Sequence, residues 1–123
     1  VDVDGRKAWL LAADEAAPTA APKPGGVRLL ANLDPIMTMR DRELLVPDDD
    51  VRKRIWKVLG GPGAVLVDGE VAGLWRAAKK GRKLVVTVEP LAKLGRAAKD
   101  ALGGEAERIA PLRGAATADL QGV

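Results

Sequence analysis

Residues 64–88 read AVLVDGEVAGLWRAAKKGRKLVVTV, and this stretch decides the fold. The Asp68-Gly69 pair stands between two apolar runs, which is typical of a two-residue hairpin loop whose central residues need a positive φ. A second turn, at residues 79–82, returns the chain into another apolar run. The pattern therefore predicts three sequential antiparallel strands, at residues 64–67, 70–76 and 83–88.

The Asp68-Gly69 loop also predicts how the first two strands pair. A two-residue loop brings the flanking residues together in succession: Val67 with Glu70, Leu66 with Val71, Val65 with Ala72 and Ala64 with Gly73. Because strand side chains alternate between faces, Leu66, Val71 and Trp75 are expected on one buried face. The opposite face is also apolar, which suits a small barrel or a sheet covered by a helix.

The sequence before this meander predicts two short strands and one helix. Residues 27–31 and 36–39 are apolar runs separated by a turn at Asp34-Pro35. Three consecutive carboxylates, at residues 48–50, precede a segment predicted as a helix over 49–57. Carboxylates at a helix start accept hydrogen bonds from its free amides and suit its dipole. We interpret them as a cap rather than a metal site, because adjacent carboxylates lack the spacing of calcium loops.

After the meander, apolar residues recur at helical spacing. Pro90 is suited to the first turn of a helix, and Leu91, Leu94, Ala98 and Leu102 follow at intervals of three and four. The same phase continues beyond Gly103-Gly104, which predicts one kinked helix that ends near Pro111. Residues 114–123 have no periodicity and are expected to form a flexible tail.

The chain is expected to divide into a hairpin, a linker and a β-domain. Asp4-Gly5 predicts a hairpin within residues 1–11, and residues 12–26 are rich in Ala, Pro and Gly. The predicted fold class is mainly β with α: a small antiparallel β-barrel or meander with a C-terminal helix, preceded by a wing-like hairpin. The predicted divisions are 1–26 for the hairpin and linker, 27–113 for the barrel with its helix, and 114–123 for the tail.

The composition excludes most catalytic chemistry. The chain contains no Ser, Cys, His, Tyr or Phe, so the usual nucleophile-and-base pairs and the usual zinc ligands are absent. We expect no catalytic residue, no metal and no cofactor; a hydrolase based on Asp34 and Asp41 is a distant alternative. No apolar run approaches the ~20 residues that span a bilayer, and without cysteine the cytoplasm is the default location.

Positive charge is concentrated in the middle of the chain. The net charge is +3 overall, yet residues 52–99 contain 12 basic and 3 acidic side chains. Several of these cluster around the second turn of the meander, and such a tip suits the phosphates of double-stranded DNA. The alternative is an ordinary solvated turn in a structural or protein-interaction domain. The predicted DNA-binding residues are Arg76, Lys79, Lys80, Arg82 and Lys83.

The remaining candidates have better structural interpretations. Trp56 and Trp75 have the shape to stack on bases, but with only three tryptophans and no other aromatic residue we expect both in the core. Arg40-Asp41-Arg42 suits either an ion pair or a phosphate clamp, and we favour the ion pair.

Several blocks, taken together and in order, resemble one family. Residues 34–47 (DPIMTMRDRELLVP) and 65–76 (VLVDGEVAGLWR) resemble blocks of the winged-helix DNA-binding proteins related to the AlkZ and YcaQ DNA glycosylases. Residues 1–11, 86–91 and 105–110 are similar to the family's wing, closing strand and terminal helix. Ile36, where the family usually has an aromatic residue, and Gly103-Gly104 depart from the pattern.

The resemblance implies that this chain is the C-terminal portion of a longer protein. It implies winged-helix modules upstream, a C-terminal β-barrel and, for characterised members, excision of alkylated bases and unhooking of crosslinks. The family's catalytic glutamine motif lies in the N-terminal part. The one glutamine here, Gln121, lies outside any such motif, so no catalytic position is carried over. We therefore expect this chain alone to lack glycosylase activity.

Overall fold

The computed structural model describes residues 1–3 and 5–123, and its main element is one five-stranded sheet. A separate two-stranded hairpin precedes it. The strands are β1 (Asp2–Val3), β2 (Arg6–Lys7), β3 (Val27–Leu30), β4 (Gly63–Val67), β5 (Glu70–Lys80), β6 (Lys83–Pro90) and β7 (Thr117–Gln121). The helices are α1 (Ala17–Ala20), α2 (Arg42–Leu45), α3 (Asp49–Ile55) and α4 (Arg96–Ile109), with 3₁₀ turns at Ala12–Asp14 and Pro111–Arg113.

The sheet is a curled half-barrel with strand order β3-β4-β5-β6-β7. The first four strands are antiparallel neighbours, and β7 runs parallel to β6. The predicted meander is confirmed as β4, β5 and β6. Both loop residues of its first turn have positive φ, 50° at Asp68 and 89° at Gly69, as the hairpin pattern requires. The predicted fold class is likewise confirmed.

The predicted pairing holds for two residue pairs and then fails at a β-bulge. Val67 lies opposite Glu70 and Leu66 opposite Val71, but Val65 lies opposite Gly73 rather than Ala72. The carbonyl of Ala72 instead accepts a hydrogen bond from the Leu91 amide at 3.0 Å.

An extra residue in one strand reverses the alternation beyond it. Trp75 therefore packs with Val65, on the face opposite Val71 and Leu74, and the prediction of one shared face for Leu66, Val71 and Trp75 was wrong. Trp75 is buried all the same, with 5% of its surface exposed.

Each face of the sheet carries its own core. On one face α4 packs against the sheet; this core includes Val65, Trp75, Val86, Leu102 and Ile109. On the other face the segment with α2 and α3 covers the sheet; this core consists of Met37, Val46, Ile55, Ala64 and Leu74. The expectation that both faces are covered is therefore confirmed.

The strand predicted at residues 36–39 was wrong, because this segment continues the turn that begins at Asp34. The Asp34 side chain accepts a hydrogen bond from the Ile36 amide at 2.9 Å, and its carbonyl accepts one from Thr38 at 3.0 Å. An Asp side chain that binds the backbone two residues on favours a turn over a strand. The turn places Met37 in the core with none of its surface exposed.

The predicted cap of α3 is confirmed, although the helix ends at Ile55 instead of Lys57. The Asp48 carboxylate accepts hydrogen bonds from the amides of Asp50 and Val51 at 2.9 and 3.0 Å. These are two of the donors that a helix start leaves unsatisfied.

Helix α4 is one helix through Gly103-Gly104, as predicted, and it ends before Pro111. Its predicted start at Pro90 was wrong. Pro90 is the last residue of β6, opposite Gly73, and α4 begins at Arg96. Proline is tolerated at a strand end, where a missing N–H costs no ladder bond.

Residues 114–123 are not a loose tail, because Thr117–Gln121 forms β7 along β6. Five residues are too few for an alternation of apolar and polar side chains to be recognised in the sequence. Pairing with β6 therefore determines that this segment is a strand. Gly122, with φ of +90°, follows directly and approaches Val88 so closely that a Cβ would overlap its carbonyl.

The N-terminal hairpin is present, with Asp2 opposite Lys7 and Val3 opposite Arg6. The predicted turn residue Asp4 lies outside the described residues. In the expected linker, Pro18 lies in the first turn of the short helix α1. The domain boundary at residue 26 stays a prediction.

One buried carboxylate, Glu105, joins α4 to the edge of the sheet. It is 8% exposed and accepts two hydrogen bonds from Arg108, at 2.9 and 3.0 Å. It also accepts one from the amide of Leu29 in the edge strand β3, at 3.3 Å. The Arg108 hydrogen bonds, followed by the Leu29 amide and the charges of Arg108 and Arg28, hold the pKa of Glu105 below its ordinary value of 4.5.

Glu105→Gln is expected to lower the free energy of unfolding at pH 7 by ~1–3 kcal/mol, the size of a hydrogen-bond contribution from a charged group. Because the folded-state pKa of Glu105 is lowered, its stabilisation is complete above pH 4.5 and is lost as pH falls through that pKa. Urea titrations at pH 7 and pH 3 measure the difference. Exposed Glu107→Gln on the same helix is the control, and a Glu105 effect that is equal at both pH values would contradict the prediction.

Candidate nucleic-acid interface

The basic hairpin, defined here as residues 76–87, projects beyond the rest of the sheet on one side. Strand β4 begins at Gly63, opposite Trp75, so the last five residues of β5 have no partner on that side and pair only with β6. Lys80 lies opposite Lys83, and Gly81-Arg82 forms the turn, with φ of 60° at Gly81.

Four of the five predicted contact residues, Lys79, Lys80, Arg82 and Lys83, lie together at this tip and are exposed. None of the four forms an ion pair with any residue in the described part of the chain. Lys80 and Lys83 are also directly opposed, and like charges in cross-strand positions destabilise a hairpin. A bound anion would relieve that repulsion.

The C-terminal segment contacts the tip along β6, on the side opposite β5. The amide of Ala116 donates a hydrogen bond to the Arg82 carbonyl at 2.7 Å, and β7 then pairs with β6 from Lys83 to Thr87. The Lys79 ammonium lies close to Gly114, 3.4 Å from where a Cβ would stand. Strand β7 therefore holds the β6 side of the tip, in the segment 114–123 that was predicted to be a flexible tail.

Arg76, the fifth predicted residue, lies away from the tip. It is four residues before Lys80, which is ~13 Å along a strand. One of its Nη atoms donates a hydrogen bond to the carbonyl of Gly60 at 2.8 Å, and its side chain lines a cleft with Arg54, Lys57 and Glu89. Arg54 and Glu89 form an ion pair in this cleft.

Two residues near Arg76 were not predicted from the sequence: Asn32 and Arg113, which line a second, polar pocket with it. These residues are far apart in the sequence, and no local pattern connects them. Only the docking of the loop after β3 and of the turn after α4 against β5 brings them together.

The core prediction is confirmed for Trp75 and holds in part for Trp56, which packs against the second core. Trp75 is buried, and Trp56 is half-buried with its Nε1 donating to the Met37 carbonyl at 2.7 Å. Asp41 pairs with Arg6 at 3.3 Å, which links the first hairpin to the start of α2. Arg42 lies over the ring of Trp56, 5.0 Å from its centre.

Within residues 1–3 and 5–123, no three carboxylates converge to hold a metal ion. The carboxylates of Asp34 and Asp41 have separate structural partners, the Ile36 amide and Arg6. No helix in the described part is long and apolar enough to cross a membrane.

The fold and the site together define a mixed α/β domain. Its curled sheet lies between two cores, and β7 holds its basic hairpin in place. The model of the family described as DNA glycosylase AlkZ-like matches residues 1–112 of the chain. The chain therefore belongs to the AlkZ-like DNA glycosylase family, which confirms the family indicated by the sequence blocks.

A solved structure supports the same assignment. The chain is similar to the Streptomyces sahachiroi DNA glycosylase AlkZ, with 27% sequence identity and a TM-score of 0.76. The match covers 99% of this chain and 32% of that chain, so the present chain spans about a third of its relative's length. No curated protein matches the sequence significantly.

Proposed function

We propose that this chain is a non-catalytic, DNA-binding and scaffolding domain of a longer AlkZ-like DNA glycosylase that acts in base excision or crosslink repair. The observation that carries the proposal is the cluster of exposed cations at the hairpin tip, which form no ion pair with any described residue. Lys and Arg contacts to phosphates position a protein on a duplex without reading its sequence. The proposed contacts are Lys79, Lys80, Arg82 and Lys83, with Arg76 behind them.

Catalysis in this proposal belongs to winged-helix modules upstream in the same cytoplasmic protein. This chain offers only carboxylates, Lys and Thr for chemistry, and its one glutamine lies in β7. Base release from alkylated duplex DNA by the chain alone, abolished by a point mutation within it, would contradict a non-catalytic role.

The alternative is a structural or protein-interaction domain without DNA contact. The exposed apolar residues near the first hairpin favour it: Trp9 is 98% and Leu11 73% exposed. In the leading proposal the same residues contact the upstream modules, so this observation supports a protein contact in either case. Only the behaviour of the basic tip separates the two functions.

The variant Lys79→Gln/Lys80→Gln/Arg82→Gln is expected to bind duplex DNA about 10- to 100-fold more weakly at low salt, and similarly for unrelated sequences. The slope of log affinity against log salt should flatten by ~1 for each lost phosphate contact. Fluorescence anisotropy with two unrelated duplexes, over a range of salt concentrations, measures both quantities. Titrations use this chain and the longer protein.

The matched control is Lys23→Gln/Lys93→Gln/Lys99→Gln, which removes the same charge from exposed sites away from the tip. Equal losses in both triple variants would mean that net charge alone governs binding. Unchanged affinity and slope in the tip variant would reject DNA contact by the hairpin and favour the alternative.

A further inference from the structure

A small polar pocket lies where β5 emerges beyond β4. Its volume is about 190 Å³, and it is lined by Arg76 from β5, Arg113 from the turn after α4 and Asn32 from the loop after β3. The segment Gly61–Gly63 completes the wall. The pocket therefore gathers side chains from three separate parts of the chain beside one unpaired strand edge.

The charge of this pocket is entirely positive. Two guanidinium groups line it, and no Asp or Glu is among the described residues that do. Arg76 uses one of its five N–H donors on the Gly60 carbonyl, which orients the side chain and leaves the others available. Arg113 is exposed and makes no side-chain hydrogen bond or ion pair with a described residue.

The glycine wall is held close to the core. A Cβ at Gly63 would overlap the indole of Trp75 and the Leu30 carbonyl, and one at Gly61 would overlap the Ile55 carbonyl. Trp75 is itself fixed by a 2.8 Å hydrogen bond from its Nε1 to the same Leu30 carbonyl. This wall of the pocket is therefore closely packed against the core, and a wall that is already in place lowers the entropic cost of ordering a ligand there.

We infer that this pocket binds a phosphate group, held between Arg76 and Arg113 with Asn32 as a neutral donor. Planar guanidinium groups suit phosphate because each offers parallel N–H donors. The inference rests on the proposed function and extends it, since the ligand is a backbone phosphate of the duplex that the tip contacts. The distance from Arg76 to Lys80 is ~13 Å, or about four base pairs along the DNA axis.

The variant Arg113→Gln tests the pocket with little effect on the fold, because the side chain is exposed and has no hydrogen bond or ion pair to lose among the described residues. Duplex affinity is expected to fall roughly 3- to 10-fold, and the salt slope to flatten by up to ~1. The matched control is Arg96→Gln, an exposed arginine at the opposite end of α4. A loss of duplex affinity in Arg113→Gln that is no larger than the loss in Arg96→Gln would contradict phosphate binding in the pocket.

A double variant tests whether the two arginines share one phosphate. If they do, Arg76→Gln/Arg113→Gln should flatten the salt slope by no more than ~1, and its loss of affinity should differ from the product of the single losses. Arg76→Lys keeps the charge but not the paired donors, and is expected to weaken binding while leaving the slope nearly unchanged. Additive losses and a slope change near 2 would reject a shared site.

The source of the phosphate is distinguished by three ligands: a duplex with 5′-phosphates, the same duplex without them, and inorganic phosphate at constant ionic strength. A backbone site predicts equal Arg113→Gln losses for both duplexes and weak competition by inorganic phosphate. A loss confined to the 5′-phosphorylated duplex, or full competition by inorganic phosphate, would overturn the backbone assignment.

The outcomes also separate this inference from the proposed function. Loss of binding in the tip variant but not in Arg113→Gln rejects the pocket alone. Loss of binding in Arg113→Gln but not in the tip variant supports phosphate binding in the pocket and rejects DNA contact by the tip. No change in either variant rejects both.

Discussion

Replacing Trp75 with alanine is expected to lower the free energy of unfolding by ~3–5 kcal/mol, the range for large aromatic deletions from a core. Trp75 is 5% exposed and packs in the core between the sheet and α4. Its Nε1 donates to the Leu30 carbonyl at 2.8 Å, so alanine also leaves that acceptor without its partner. Urea unfolding followed by circular dichroism measures the loss without relying on tryptophan fluorescence.

Two further variants separate packing from hydrogen bonding at Trp75. Trp75→Phe keeps much of the ring volume and is expected to cost less than alanine, with ~1 kcal/mol or more from the lost hydrogen bond. Trp9→Ala, at a tryptophan that is 98% exposed, should stay within about ±0.5 kcal/mol. A Trp75→Ala loss below ~1 kcal/mol would mean that this side chain is exposed in solution, which would revive a base-stacking role.

Replacing Met37 with alanine is expected to cost ~2–5 kcal/mol, although a turn rather than a strand or helix carries this residue. Met37 has none of its surface exposed and fills the second core with Val46, Ile55, Ala64 and Leu74. Its carbonyl also accepts the Trp56 Nε1 hydrogen bond at 2.7 Å. Removing the side chain leaves a cavity between the sheet and the segment that covers it.

The neighbouring residue provides the matched control. Ile36 is 45% exposed, and Ile36→Ala should cost clearly less than Met37→Ala in the same denaturant titration. In a strand at residues 36–39, the side chains of Ile36 and Met37 would also point to opposite faces. A strand would, however, lack the hydrogen bond from the Thr38 amide to the Asp34 carbonyl. Equal losses of unfolding free energy at both positions would show that this turn does not bury the Met37 side chain in the core.

The meander was predictable because its signals are local. Asp68-Gly69 and Gly81 supply the positive φ that tight turns require, and the apolar runs beside them have few other ways to bury their side chains. The cap at Asp48 is equally local, since its two hydrogen bonds reach only two and three residues ahead. Four of the basic residues at the tip were predictable for the same reason, because one hairpin turn holds them together.

Apart from the turn at residues 34–39 and the end of α3, the errors occur where a distant contact outweighs a local pattern. At the bulge, the Ala72 carbonyl accepts a hydrogen bond from the distant Leu91 amide, and Pro90 remains in β6, where it lies opposite Gly73. Residues 114–123 show no alternation of apolar and polar side chains. Strand β7 forms there because one edge of β6 is available for parallel pairing. Such contacts bridge many residues, so no window of sequence contains both partners.

The sequence by itself determined the antiparallel meander, the concentration of charge at its second turn, the family and the lack of the usual nucleophile-and-base pairs, because each of these depends on residue type or close spacing. Only the tertiary structure decided which face Trp75 joins, what braces the tip and which residues surround Arg76. A bulge reverses every side chain beyond it, and a pocket gathers residues that share no local pattern. These features follow from packing between distant segments, and that packing depends on the whole chain at once.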